Sequence, residues 1–362
     1  MKKTKLRIIH ETNPQKYFPV LYELAKTGQV ELTGSHRYSV CKEWLRAWLR
    51  DRTSFKQRNQ NALKDFLFRL RIPFVKNETI VLGFAPWDWR LLIYRHLAKH
   101  NKIVYHTSWH DWRLDKTPRQ PKLNGVKSYM QKQWHRFVNH PNVRVVAVTP
   151  VVAKTVQQET GVIATVIPHA VPDVFFTAGK NRNHRPNGTL KLLYVGEISE
   201  KKGIKVLIEL MTQLTDKDVN LTVVGNGPLA NLVENGPTNI HYLGPIFDRE
   251  KLAKIMAQHD VLMLLSQKTK NWEELFGIVI VEAIAAGCAV IASDHIGPRE
   301  IFNKKTNTGL YNQSAHSEVY AALNNMQQDR TKIQELREAQ NVASQFSMLT
   351  LKTMWQKAIE QP

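Results

Sequence analysis

The sequence predicts an α/β protein with two doubly wound domains facing a cleft, and three observations carry that reading. A length of 362 residues exceeds one ordinary core and suits two domains of roughly 150 residues each. Short apolar, β-branched runs alternate with stretches of helical spacing in both halves, the pattern of parallel sheets with crossover helices. A polar break, GKNRNHRPNG at residues 179–188, separates the halves. The division is then residues 1–178, residues 189–345 and a last helix within 346–362, positioned to cross back to the first domain. Each domain is expected to be Rossmann-like, with ligands beyond the C-terminal ends of its strands.

The composition, 43% hydrophobic and 23% charged, is that of a globular chain. No apolar run approaches the roughly 20 residues of a membrane span, and the start, MKKTKLRIIHET, lacks the apolar stretch of a secretory signal. A cytoplasmic protein is expected. Cys41 and Cys288 stand apart with no motif around either, so neither a disulfide framework nor a metal site is expected. The net charge of +20 is lopsided. Residues 1–175 hold thirty Lys and Arg against twelve Asp and Glu, or +18, which leaves +2 for the remainder. Seven of the nine Trp also precede residue 150. Basic residues interleaved with Trp suit a membrane interface, an acidic glycan or a nucleic acid. No recognisable nucleic-acid module accompanies them, so no nucleic-acid partner is expected.

Residues 5–10 read as the first strand and 17–25 as the helix after it, with Phe18, Leu21, Tyr22 and Ala25 at helical spacing. Residues 41–50 place Trp44, Leu45, Trp48 and Leu49 on one arc of a helix and Lys42, Arg46 and Arg50 on another. A second helix at 61–71 sets Leu63, Phe66, Leu67 and Leu70 beside Lys64, Arg69 and Arg71. Both stripes suit either a packed core or a lipid interface. A strand at 79–84 runs into Pro86-Trp87-Asp88-Trp89, whose rings either stack on a sugar or pack the loop. A strand at 102–105 runs into His106-Thr107-Ser108-Trp109-His110. Both His106 and His110 are placed there to relay a proton near neutral pH or to serve as structural side chains. A strand at 143–149, a helix at 150–160 and a strand at 165–167 complete this half.

A strand at 190–195 leads through Gly196 and the turn Lys201-Lys202-Gly203 into a helix at 204–214. Strand, glycine turn and basic residue together make a pyrophosphate cradle. A strand at 221–224 ends in Gly225-Asn226-Gly227-Pro228, and strands at 241–243 and 261–265 flank a helix at 249–259. The densest signal is NWEELFGIVIVEAIAAGCAVIASDHIGPREI at 271–301. Ile278, Val279, Ile280 and Val281 favour a strand by propensity, but Glu282-Ala283-Ile284-Ala285-Ala286 before Gly287 reads as a helix with a glycine C-cap. A helix at 277–286 and a buried strand at 288–293 are therefore predicted. Such a helix turns free N–H groups and its positive dipole end toward a phosphate. Glu274 before that end and Glu282 within the helix can flank one ligand, the first near the phosphate and the second reaching hydroxyls.

Glu274 and Glu282 with seven residues between them, Phe276-Gly277 after the first and Glu-Ala-x-Ala-x-Gly at the second, resemble the donor-site signature of retaining family-4 glycosyltransferases. These are the glycogen-synthase-like "glycosyl transferases group 1" proteins of GT-B architecture. The resemblance implies that Glu274 sits at the donor sugar, that Glu282 binds the ribose hydroxyls, and that the backbone of Gly277, Ile278 and Val279 holds the diphosphate. It extends to the turn at Gly196, to Lys202 in the place of a diphosphate-binding Lys, and to Asn226 in the loop after the next strand. Glu197 occupies the position of a second diphosphate-binding cation, with Lys201 or Arg299 available to supply that charge. His106 matches a His that the family places near the donor sugar. Residues 168–173, PHAVPD, resemble the family's linker with His169 and Ala170 replacing Asn and Gly, and ETNPQKY stands where many members carry a Gly-Gly turn.

By this resemblance the chain is a retaining hexosyltransferase, moving a sugar from a nucleotide-sugar to a lipid-linked or polysaccharide acceptor in surface polysaccharide, lipopolysaccharide or glycolipid biosynthesis. The first domain takes the acceptor, with Trp44, Trp48, Trp87, Trp89 and Trp109 as candidates for contact with it or with a membrane. Neither a cofactor beyond the nucleotide-sugar nor a metal is expected. With no obvious nucleophile, a front-face displacement is expected, its leaving diphosphate stabilised by Lys202 and the helix start at Gly277. The alternatives are a GT-B-like sugar-nucleotide epimerase and, from another class, a basic nucleic-acid-binding protein. The basic half further suggests peripheral attachment at the inner face of the plasma membrane.

Overall fold

The computed structural model describes residues 3–11, 14–37, 55–114, 123–182, 188–269, 272–302 and 308–360. It divides into two compact units, one of residues 1–170 with 349–362 and one of residues 171–348.

The first unit is a six-stranded parallel sheet in the order β2-β1-β3-β4-β5-β6. Its elements are β1 (Thr4–His10), α1 (Pro19–Lys26), β2 (Val30–Arg37), α2 (Phe55–Arg71), β3 (Thr79–Gly83), β4 (Lys102–Thr107), α3 (Asn124–Val138), β5 (Val143–Ala147), α4 (Pro150–Thr160) and β6 (Thr165–Val166). Central strands covered on both faces must be apolar nearly throughout, and all five residues of β3 are buried. α4 begins because Thr149 Oγ1 accepts from Val152 N at 3.3 Å with Pro150 behind it, and it ends at Gly161 in the left-handed region. The side-chain core gathers Phe84, Trp87, Tyr105, Trp112 and Trp134 between sheet and helices.

The second unit is again six parallel strands, ordered β12-β11-β10-β7-β8-β9. It comprises α5 (Asp173–Lys180), β7 (Leu190–Glu197), α6 (Ile204–Gln213), β8 (Val219–Asn226), β9 (Ile240–Gly244), α7 (Arg249–Ala257), β10 (Val261–Leu264), α8 (Ile278–Ala285), β11 (Ala289–Ser293), α9 (Ile296–Ile301), β12 (Leu310–Tyr311), α10 (His316–Gln328) and α11 (Thr331–Ala339). Last comes α12 (Met348–Glu360), which belongs mostly with the first unit. There Thr79 Oγ1 donates to Ile359 O at 3.2 Å and Trp355 meets Phe18 edge-on at 5.6 Å.

One sequence expectation changes, and one open alternative is decided. The boundary read at residue 178 falls at 170/171, because α5, placed with the first domain from sequence, packs on α7 and α8. The stripe Leu63, Phe66, Leu67 and Leu70 does not face the core. α2 instead docks through Asp65 and Phe68, with Ile72 buried just past its end, Phe68 stacked on His36 at 3.8 Å, Arg7 above it at 4.9 Å, and Asp65 bonded to His36 Nδ1 at 3.1 Å.

Candidate donor and acceptor sites

In the second unit the strand order reverses between β7 and β10, and an open parallel sheet forms its ligand crevice beyond the C-terminal strand ends at such a reversal. Gly196 and Glu197 end β7 in register with Gly225 and Asn226 at the end of β8. A single turn at Glu200–Lys202 then presents Lys202. Gly203 closes that turn at φ 76°, and a Cβ there would lie 1.8 Å from Leu265 O, so the approach to β10 requires glycine. The Lys202 ammonium donates to the Glu274 carboxylate and stands 4.9 Å from the centroid of the Trp272 ring.

The loop bearing Glu274 is fixed by its backbone. Its carbonyl accepts from Gly297 N at 2.9 Å, and neighbouring Glu273 accepts from Ile296 N at 3.1 Å while pairing with Lys268 at 2.6 Å. Buried Phe276 packs on Phe346, with centroids 6.0 Å apart. Gly277 then takes φ 75°, and α8 begins with its first N–H groups at the crevice. One turn into α8, the buried Glu282 carboxylate accepts from Arg249, whose guanidinium lies 4.7 Å from the centroid of the Phe175 ring. Both sequence-predicted carboxylates thus stand against a cation.

In the first unit the reversal falls between β1 and β3. A pocket of about 170 Å³ at that point is lined by His10, Glu11, Tyr17, His106, Ser108 and Trp109, among others. The buried His106 ring meets Phe18 at 4.8 Å and His169 at 5.6 Å. Burial, with His169 and His10 nearby, holds its pKa well below 6.5, so at neutral pH it offers one donor and one acceptor rather than a charge.

Residues 176–343 match the family described as glycosyl transferases group 1. Over this part the chain is similar to that family. A stretch of 155 residues is 30% identical to the phosphatidyl-myo-inositol mannosyltransferase of Mycobacterium tuberculosis, covering 41% of this chain and 40% of that protein. The 2-deoxystreptamine N-acetyl-D-glucosaminyltransferase of Niallia circulans is 28% identical over 123 residues, 32% of this chain and 30% of that protein. The match therefore spans about 40% of the length of the mannosyltransferase. The fold is similar over nearly the whole chain to Anabaena HepE in complex with UDP, with a TM-score of 0.66 at 16% identity covering 99% of this chain and 100% of that one. WaaG, a glycosyltransferase involved in lipopolysaccharide biosynthesis, gives 0.61 at 14% identity and 99% and 100% coverage. The two parallel sheets are those of the GT-B fold.

Against the group 1 signature, the structure gathers Gly196, Lys202, Asn226, Glu274, Phe276, Gly277, Ile278, Val279 and Glu282 around the β7/β10 strand ends and α8. Glu197, in the place of a cation, pairs with Lys201 at 2.8 Å, and its carbonyl accepts from Tyr194 Oη at 2.7 Å. Arg299 is held by Asp294 at 2.7 Å, which leaves Lys201 and Lys202 as the cations of the turn. Arg249 and Trp272 had no sequence signal, since each is defined by what it meets across the fold.

Trp87 is the correction among the aromatics. It is buried in the core at φ 58°, its indole N–H bonded to Trp112 O, and offers no face to a sugar. Trp89 is exposed, and Trp109 is partly buried in the pocket lining. Trp44 and Trp48 lie outside the described residues.

Burial, opposed by a hydrogen bond that the ring donates to the Tyr17 backbone and reinforced by His10 and Lys16 nearby, lowers His169 to about 4. A free His titrates near 6.5, so between pH 6.5 and 4 the unfolded chain binds a proton that the folded chain does not. This stability is fully present above pH 6.5 and is lost as pH falls toward 4, by about 3 kcal/mol for His169 alone. His106 acts in the same direction. Urea unfolding at pH 7.5 and pH 5 is expected to show a marked loss for the wild type and a smaller one for His169→Asn. Equal slopes would mean that the ring is protonated in the folded chain.

Proposed function

We propose that the chain transfers a glycosyl group, with retention, from a nucleotide-sugar to a hydroxyl of a lipid-linked or glycan acceptor in glycolipid or lipopolysaccharide-type assembly. The observation that carries this reading is the Lys202–Glu274 pair at the β7/β10 strand ends beside the N-terminus of α8. A diphosphate placed there meets an ammonium and free backbone N–H groups, and its arrival releases the Glu274 carboxylate for the sugar. The bond from C1 to the diphosphate breaks while the bond from C1 to the acceptor oxygen forms on the same face. The acceptor proton passes to the leaving diphosphate. Glu282 holds the ribose hydroxyls, and no metal ion is part of this proposal.

Calorimetry with UDP, GDP and ADP tests the reading. One of them should bind, and at 100 times its dissociation constant should stabilise the protein by about 2.7 kcal/mol. Glu282→Ala should weaken that binding by about 1–3 kcal/mol, because the ribose hydroxyls lose a charged acceptor. Failure of all three nucleotides would overturn the proposal, and isomerisation of a nucleotide-sugar without an acceptor would favour the epimerase.

Peripheral attachment to an anionic membrane, at the inner face of the plasma membrane, belongs to the same proposal. No helix among the described residues is long and apolar enough to cross a membrane. Yet α2 and the turn after it expose Leu63 at 57%, Phe66 at 51%, Leu70 at 61% and Phe74 at 81%. Exposed Lys64, Arg71 and Lys76 stand among them, and an apolar strip edged by cations suits an anionic lipid surface, at about 1 kcal/mol per cation. The protein should sediment with phosphatidylserine vesicles at low salt. Phe66→Glu with Leu70→Glu, both at exposed positions, should abolish this while nucleotide affinity is unchanged. Equal sedimentation of the double variant would remove α2 from the membrane contact.

A further inference from the structure

A cavity of about 880 Å³ lies within the second unit, between α5, α7 and the starts of β7 and β10. The donor crevice is at the other ends of these strands, since Lys191 and Glu197 stand at opposite ends of β7, about 20 Å apart at roughly 3.3 Å per residue. The walls hold an excess of positive charge. Asp260, just before β10, is shared by Arg182 Nη2 at 3.0 Å and by Arg330 Nη1 and Arg337 Nη2, each at 3.5 Å. The same carboxylate accepts from Lys191 N at 3.1 Å, which sets Lys191 beside the three guanidiniums. Glu250, the other carboxylate of the lining, stands one turn before Lys254 on α7 and matches its charge. Arg182, Lys191, Arg330 and Arg337 thus bring four positive charges to one negative.

Two of the four serve the fold. Arg182 also donates to His259 O and Gly287 O, each at 2.7 Å, and Arg337 does not line the cavity. Burial and the Arg182 charge, against Asp260, pull the Arg337 pKa below its usual range, so one carboxylate balances the group poorly. Arg330 and Lys191 do line the cavity. Arg330 Nη1 is buried and makes no hydrogen bond among the described residues, and the Lys191 ammonium has no ion-pair partner among them. A recessed cation without a hydrogen-bonded anion is costly. We propose that this cavity binds a soluble phosphate ester, with its phosphoryl group on Arg330 and Lys191 and its organic part between α5 and α7. A phosphomonoester carries close to two negative charges near neutral pH, which suits a surplus of three better than the single charge of a carboxylate does. Its oxygens also fit the guanidinium fork. The volume exceeds what phosphate alone fills and is that of a site for a small organic ligand, with Thr177, Asn181 and Gln258 to meet polar groups and Ala178 to meet carbon. The Arg330 side chain is only 17% exposed, so a flat lipid surface does not reach it. No residue of the donor crevice takes part, so the site stands or falls apart from the glycosyl-transfer reading.

Calorimetric titration of the full chain with glycerol 3-phosphate tests this, with glycerate and glycerol as controls. The ester should bind, glycerate about tenfold more weakly and glycerol not at all. Lys191→Gln should weaken the ester by about tenfold or more, the scale of one lost charge-assisted hydrogen bond. Lys254→Glu, at an exposed position of α7, sets a second carboxylate beside Glu250 on the cavity wall and should do the same by repulsion. Lys202→Met, at the donor crevice, should leave the affinity for the ester within about twofold. Thermal melts show which variants are folded, and Lys254→Glu decides the matter if Lys191→Gln is not. No binding of the ester, glycerate binding as tightly, affinity unchanged in the folded cavity variants, or binding lost in Lys202→Met would each overturn the assignment.

Discussion

Lys202→Met should lower turnover by about 10²- to 10³-fold and weaken nucleoside diphosphate binding by about 1.5–3 kcal/mol, with nucleoside monophosphate binding much less affected. Lys202 is the cation that the turn after β7 brings to the crevice, and its Glu274 partner is itself one of the proposed catalytic groups. Removing the ammonium takes a positive charge from the leaving diphosphate and leaves a carboxylate facing it, so both binding and the transition state suffer. With the Lys202 side chain 21% and the Glu274 side chain 12% exposed, the change leaves a mostly buried carboxylate without its cation, so a thermal melt of the same preparation must show that the variant is folded. Lys201 cannot substitute without leaving Glu197. Calorimetry and initial rates on the same preparation check the result. Diphosphate affinity within threefold of wild type would mean that Lys202 serves Glu274 alone, and recovery in Lys202→Arg would identify charge as the missing property.

How much of this was legible in the sequence depends on whether the deciding interaction was local. α8 could be read despite its four β-branched residues, because Gly277 and Gly287 mark its ends and both glycines adopt positive φ. The buried strand after it, the glycine turn at Gly203 and the capped α4 were legible for the same reason. β2 was not. Gly34 and His36 break its apolar alternation, and the strand is held by a polar network in which Arg7 bonds Glu78 at 2.7 Å, Thr33 bonds Glu78 at 3.0 Å and His36 bonds Asp65. α5 was passed over because the polar run after it drew the boundary, although Pro172 and Asp173 form an ordinary helix start.

Across the donor crevice the same rule holds. The two carboxylates, the glycines and Lys202 belong to short motifs, so their spacing identifies them. Arg249 reaches Glu282 from another helix and Trp272 approaches Lys202 from another loop, so only the fold joins them. Trp87 shows the opposite failure. Its Pro-Trp-Asp-Trp setting gave it a functional look, but Trp112 and Trp134, 25 and 47 residues further along the chain, draw it into the core.

Glu274→Gln is expected to separate catalysis from binding. The exchange keeps size and shape, and the loop should stay in place because Glu274 is held by its backbone, through Gly297 N and by Glu274 N to His295 Nδ1 at 3.4 Å. What it removes is the negative charge beside the sugar, where positive charge develops as the bond to the diphosphate lengthens. A loss of about 3–4 kcal/mol in transition-state stabilisation, or roughly 10²- to 10³-fold in kcat, is the scale for one such group. Nucleoside diphosphate affinity should hold or tighten, since the variant takes a carboxylate away from the phosphates and frees Lys202 from its partner. Lys202→Met weakens binding and turnover together, whereas Glu274→Gln should depress turnover alone. Turnover of the Gln variant within threefold of wild type would remove Glu274 from the chemistry and leave it as the side chain that positions Lys202.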